Sequence, residues 1–122
     1  MTDRPSRKDA PRPSESTIQK KILKYLGRQP HCWSVKVIMT NANGCPDILC
    51  CCKGRFVGIE CKRPGGKLSR LQEHHINEIR RAGGTAIVAQ CVEDVKEAID
   101  GKTLRECQIC AAQRTTEDGN GL

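Results

Sequence analysis

The chain has 122 residues; 37% are apolar, only three (Tyr25, Trp33 and Phe56) are aromatic, and 21 Lys and Arg against 14 Asp and Glu leave a net charge of +7. That is enough chain for one small domain. No apolar run nears the roughly 20 residues a membrane helix needs, and the polar, charged N-terminus lacks the pattern of a secretory signal, so a cytoplasmic protein without membrane association is expected.

Residues 1–13, with Pro5, Pro11 and Pro13 set among charges, read as a disordered basic arm. Ser14 and Glu15 open a first helix. Ile18, Ile22, Leu23, Tyr25 and Leu26 follow at helical spacing, and Gly27 ends it. Glu15 then lies in the first turn, where a carboxylate suits the helix dipole. Trp33–Thr40 reads as a strand, Asn41 to Gly44 as a turn and Asp47–Cys52 as a second strand. Lys53-Gly54 is a tight turn into a third strand, Arg55–Lys62. Pro64, Gly65 and Gly66 break the chain. Ser69-Arg70-Leu71-Gln72 has the form of a capping box, and the helix it opens runs to about Ala82, with Leu71, His75, Ile76 and Ile79 on one face. Gly83-Gly84 ends that helix. Thr85–Ala89 is a fourth strand and Val92–Ile99 a last helix. Residues 101–122 read as a partly disordered C-terminal extension.

The first three strands should form an antiparallel meander. A helical crossover then makes the third and fourth parallel. The expectation is one α/β domain over residues 14–100, with an αβββαβ core whose mixed four-stranded sheet is flanked by helices.

The nine cysteines, at 32, 45, 50, 51, 52, 61, 91, 107 and 110, are odd in number and lie mostly in apolar runs. We read them as reduced, small buried hydrophobes. Cys107 and Cys110 have half of a zinc spacing, but no second pair stands beside them. Cys50, Cys51 and Cys52 alternate faces on a strand and cannot share one ion.

The Lys53-Gly54 turn sets a register. With Cys52 facing Arg55, counting back along both strands places Asp47 opposite Glu60, with Cβ atoms about 4.5–5.5 Å apart. Strand alternation puts Lys62 on the same face as Glu60. Two adjacent carboxylates repel, and Lys62 offsets only one charge. A divalent cation such as Mg²⁺ is commonly held by one or two carboxylates and keeps waters for substrate phosphate. Lys62 would orient or deprotonate a water and steady charge on phosphorus.

Gly44-Cys45-Pro46-Asp47, Gly58-Ile59-Glu60-Cys61-Lys62, the run from Gly66 to His75 and Gly83-Gly84 together resemble the virus-type replication-repair nuclease domain, VRR-NUC, of the PD-(D/E)XK or restriction-endonuclease-like superfamily. The resemblance spans roughly Glu15 to Ile99. It implies a restriction-endonuclease-like fold and an Mg²⁺- or Mn²⁺-dependent nuclease. It further implies metal ligation by Asp47, Glu60 and the main-chain carbonyl of Cys61, Lys62 as the catalytic lysine, Gln72 as a supporting catalytic residue and Glu15 as a further acid reaching the metal directly or through water. His75 departs from the aromatic residue expected near that place.

Between Lys20 and Arg81, 13 basic residues face four acidic ones, a bias that suits a polyanion. Arg63, Lys67 and Arg70 follow the active strand directly and are the expected phosphate contacts, with Lys20 and Lys24 on the first helix. Three aromatics and no base-reading helix point to recognition of backbone shape. Small stand-alone members of the resembled family look like phage or prophage enzymes acting on branched DNA. A four-way (Holliday) junction as substrate, a homodimer to make two symmetric cuts and no small-molecule cofactor are therefore expected. Flap or nick cleavage, a non-catalytic DNA-binding module and a zinc-binding module are the alternatives.

Overall fold

A computed structural model of the chain describes residues 12–100. Helix α1 spans Glu15–Gly27. Ser14 caps it, its Oγ accepting the Thr17 N–H at 3.1 Å, a cap worth about 1 kcal/mol. Ile18, Ile22 and Leu26 recur one helical turn apart and are buried, at 3%, 0% and 0% exposure, so one stripe of α1 seals the sheet. The helix includes Gly27 and ends at the cap residue Arg28.

Strands β1 (Cys32–Lys36), β2 (Ile48–Cys52) and β3 (Arg55–Cys61) form the expected antiparallel meander, and β4 (Thr85–Ala89) pairs parallel with β3 in the order β1-β2-β3-β4. Helix α2 (Arg70–Arg81) makes the crossover, and α3 (Val92–Asp100) follows β4. At the β2–β3 turn Lys53 and Gly54 both have positive φ, 54° and 82°, the geometry that matches the twist of a two-residue hairpin. Cys52 therefore opposes Arg55, and the ladder runs back to Ile48 opposite Ile59.

One sheet face is the core. Cys50, Cys52, Val57, Ile59, Cys61 and Ala89 meet Ile18, Ile22 and Leu26 of α1 and Val95 and Ile99 of α3 there. Arg55 ties the end of α3 to this sheet through the carbonyls of Ala98 and Ile99. On the other face α2 packs over β3 and β4, with Ile76 buried and Ile79 close to Gly58 and Gly84.

Three expectations need correction. The first strand ends at Lys36 instead of Thr40. Val37 N–H still reaches the Asp47 carbonyl at 2.8 Å, but β2 begins at Ile48, so nothing remains to pair beyond it. Ile38 and Met39 are consequently 88% exposed. The cysteines are not all reduced and buried. Cys32 and Cys52, directly opposite across β1 and β2, form a disulfide, while Cys51 and Cys91 are exposed. Among the described residues no helix lies above β2 on the Cys51 side of the sheet. Cys50 and Cys61 do behave as expected, burial pushing their thiols up to about 11 and about 12. Leu71 is 51% exposed rather than on the buried face of α2, although its backbone lies close to Gly44. Residues 1–11, the extension 101–122 and the Cys107–Cys110 pair lie outside the described residues.

Candidate metal and phosphodiester site

The hairpin register ends where chemistry can begin. Asp47 stands one residue before β2, and its Oδ2 accepts the main-chain N–H of Cys61 at 2.8 Å. That bond extends the pairing of β2 with β3 and brings the carboxylate against Glu60. Pro46, just ahead of Asp47, is fully buried against Gly58; a Cβ on Gly58 would lie 3.3 Å from the proline ring.

Glu60 and Lys62 are the charged side chains buried among the described residues, at 1% and 9% exposure. Burial, and then the charge and hydrogen bond of Asp47, push the Glu60 carboxyl up to about 8; Lys62 works against the shift. The Lys62 ammonium lies 3.9 Å from Glu60 Oε2 and 3.8 Å from Glu15 Oε2. Neither contact is short enough for a direct hydrogen bond, so Nζ keeps donors for a third group. Glu15 reaches this point from the first turn of α1, its side chain 39% exposed.

Gln72 completes the cluster. Its Nε2 donates to Glu60 Oε2 at 3.1 Å, while its Oε1 accepts the Ser69 N–H at 2.9 Å. Ser69 Oγ in turn accepts the Gln72 N–H at 3.1 Å. The capping box of α2 therefore also orients the buried carboxylate. Gly44, at φ 86°, lets the Asp47 loop touch this same first turn: a Cβ there would come within 2.6 Å of the Leu71 carbonyl carbon.

Two touching carboxyls in a buried site, facing one ammonium at ion-pair distance, cannot both give up their protons unless more positive charge joins them. A hard divalent cation fits that donor set. Among the described residues no three His, Cys, Asp or Glu side chains converge as a metal site, so such an ion would rest on two carboxylates, a carbonyl and water. His74 is exposed and His75 half-buried, edge-to-face at 5.5 Å; neither joins the carboxylates.

The structure brings Asp47, Glu60, Lys62, Gln72 and Glu15 together. Arg63 and Lys67 are exposed in the segment between β3 and α2, and Arg70 is exposed at the first position of α2. Lys20 and Lys24 are exposed along α1, about 8 and 14 Å from Glu15 along the helix axis. The expected capping box is present, with Ser69 anchoring Gln72. Two contributors are absent from the sequence reading: Gly44 as the seat of the loop, and Arg12, whose Nη1 donates to the Pro64 carbonyl at 3.1 Å beside the active strand. Nothing local signals either.

No family model and no curated protein matches the chain. A solved structure titled "VRR_NUC domain" aligns with 72% of this chain and 96% of its own, at 22% identity and a TM-score of 0.57. The chain therefore has the fold of a VRR_NUC domain, the restriction-endonuclease-like arrangement of a mixed four-stranded sheet between helices. No helix among the described residues is long and apolar enough to cross a membrane.

Proposed function

We propose that the chain is a divalent-metal-dependent DNA endonuclease that hydrolyses phosphodiester bonds in branched DNA, with four-way junctions preferred, and that it acts as a homodimer. The buried Glu60 carboxyl pressed against Asp47 carries this reading, with Lys62 Nζ between Glu60 and Glu15 on a sheet of the VRR_NUC fold. Asp47, Glu60 and the main-chain carbonyl of Cys61 would hold Mg²⁺ or Mn²⁺, with Glu15 contributing through water. Such an ion, when bound, makes a nucleophile of water near neutral pH and offsets charge on a phosphoryl oxygen.

The side chains supply the remainder. Lys62 Nζ donates to the attacking water and to the charge developing on phosphorus. Gln72 keeps the Glu60 carboxylate in one orientation through the Ser69 cap. Arg63, Lys67 and Arg70 hold backbone phosphates without reading bases, and Lys20 and Lys24 extend that contact along α1. One chain offers one site, so two symmetric cuts in a junction call for a twofold pair.

The test is a cleavage panel of four-way junction, flap, nicked duplex, linear duplex and single strand, with Mg²⁺, Mn²⁺ or EDTA. The junction should be cut fastest, and only with a divalent ion. Asp47→Ala, Glu60→Ala and Lys62→Ala should each slow cleavage about a hundredfold or more, while junction binding stays within a few-fold of the parent. A Glu60→Ala protein that cuts at the parent rate in Mg²⁺ overturns the site. Faster cutting of flap or nick overturns the junction preference, and a one-chain mass by light scattering at micromolar concentration overturns the homodimer.

A further inference from the structure

Among the described residues, the sheet face that carries the site is only half covered. Helix α2 packs over β3 and β4, and the described elements leave the β1–β2 side open. There Trp33, Cys51 and Phe56 oppose one another directly across β1, β2 and β3. Val35, Leu49 and Gly58 form the next row. Trp33 is 60% exposed and Phe56 43%. Two of the chain's three aromatic rings thus face solvent, although large aromatic side chains are highly buried on average. Alternation along β3 puts Phe56 on the same face as Glu60 and Lys62, and four residues of strand separate the ring from the carboxylate by about 13 Å.

We infer that this row is a stacking platform for unpaired nucleobases and that it holds a single-stranded DNA segment running into the Asp47–Glu60–Lys62 site. The inference deepens the nuclease reading by naming the part of a branched substrate the protein grips, an unpaired strand such as a flap or a junction strand opened at the crossover, and it rests on that reading for the site the strand enters. Stacking on aromatic rings tolerates any sequence, because every base has a π-face; it needs no base-reading helix. Charge selects the occupant. Lys53 in the β2–β3 turn stands at the end of the row, in a chain of net charge +7. A polyanion is attracted to such a surface.

Trp33 is the chain's single tryptophan, so its fluorescence reports on the platform in the unsubstituted protein. The experiment titrates the full chain, in EDTA, with a short oligothymidylate and with a blunt duplex of the same length, following Trp33 emission alongside the anisotropy of labelled DNA. Saturable quenching by the single strand and little by the duplex is expected. Trp33→Ala and Phe56→Ala should each weaken single-strand binding about tenfold and leave duplex binding unchanged. Single-strand binding seen by anisotropy with unchanged emission overturns the platform, as does equal quenching by duplex. A blue shift that grows with protein concentration as the mass doubles also overturns it, because a second copy then covers the face. Cleavage is silent in EDTA, so the two readings separate: quenching in a protein that no divalent ion activates sinks the nuclease and keeps the platform, and cleavage without quenching does the reverse.

Discussion

At Glu60, burial and the neighbouring Asp47 both favour the protonated acid, and Lys62 favours the carboxylate. The outcome, a carboxyl titrating near 8 against an ordinary value of 4.5, has a signed consequence for the metal-free protein. Folded Glu60 keeps its proton where the unfolded residue has lost it, so this group's stabilising contribution is complete below about pH 4.5 and lost as pH rises through about 8. In EDTA the melting temperature should therefore fall between those values, and Glu60→Gln should flatten the fall. Addition of Mg²⁺ should raise the melting temperature at pH 8 far more than at pH 5; equal shifts at both would remove Glu60 from the cation's shell. The pairing of Asp47 with Glu60 is legible in the sequence because a two-residue turn leaves one register. The depth of Glu60's burial is not, since it depends on Pro46, Gln72 and α2 arriving from distant parts of the chain.

Among the elements, α2 bears most on the site, through its first turn. Ser69→Ala removes a cap and should cost about 1 kcal/mol in urea unfolding, and by releasing Gln72 it should also slow cleavage. A second comparison isolates the Asp47 loop. Gly44 and Gly54 both have positive φ, but a Cβ on Gly44 would strike the backbone of Leu71 and Gln72, whereas nothing lies within 4 Å of one on Gly54. Gly54→Ala should cost about 1–2 kcal/mol; Gly44→Ala should cost more and also weaken cation binding measured by calorimetry. Equal costs would mean that the loop does not seat on α2. The order and kind of the elements are readable from period and punctuation: Ser14, Lys53-Gly54, Ser69 and Gly83-Gly84 each mark a boundary. The end of β1 and the Cys32–Cys52 bond are not, because both depend on where β2 begins, and the long connection from β1 leaves that open. The alternation of Trp33 and Val35 likewise shows which residues share a face, and not whether a helix covers it.

Across the described residues, exposed Arg63, Lys67 and Arg70 adjoin the acid cluster in the chain and Lys20 and Lys24 lie along α1 beyond Glu15, which suits the proposed hold on DNA phosphates. Junction affinity should fall linearly with the logarithm of salt concentration. Arg70→Ala should reduce that slope by about one and weaken all branched substrates alike; a loss confined to one DNA sequence would show that Arg70 reads bases. Substrate shape is the property least legible in the sequence, since it depends on the spacing of surfaces. The hairpin turn carries a last consequence. Side chains on a strand alternate, so a one-residue insertion or deletion between Asp47 and Glu60 that slipped the ladder would turn Cys61 toward the phosphate and bury Glu60 and Lys62 among Ile18, Ile22 and Leu26. Point changes along β2 and β3 alter this protein by degrees, whereas a change in the length of that hairpin turns its working surface inside out.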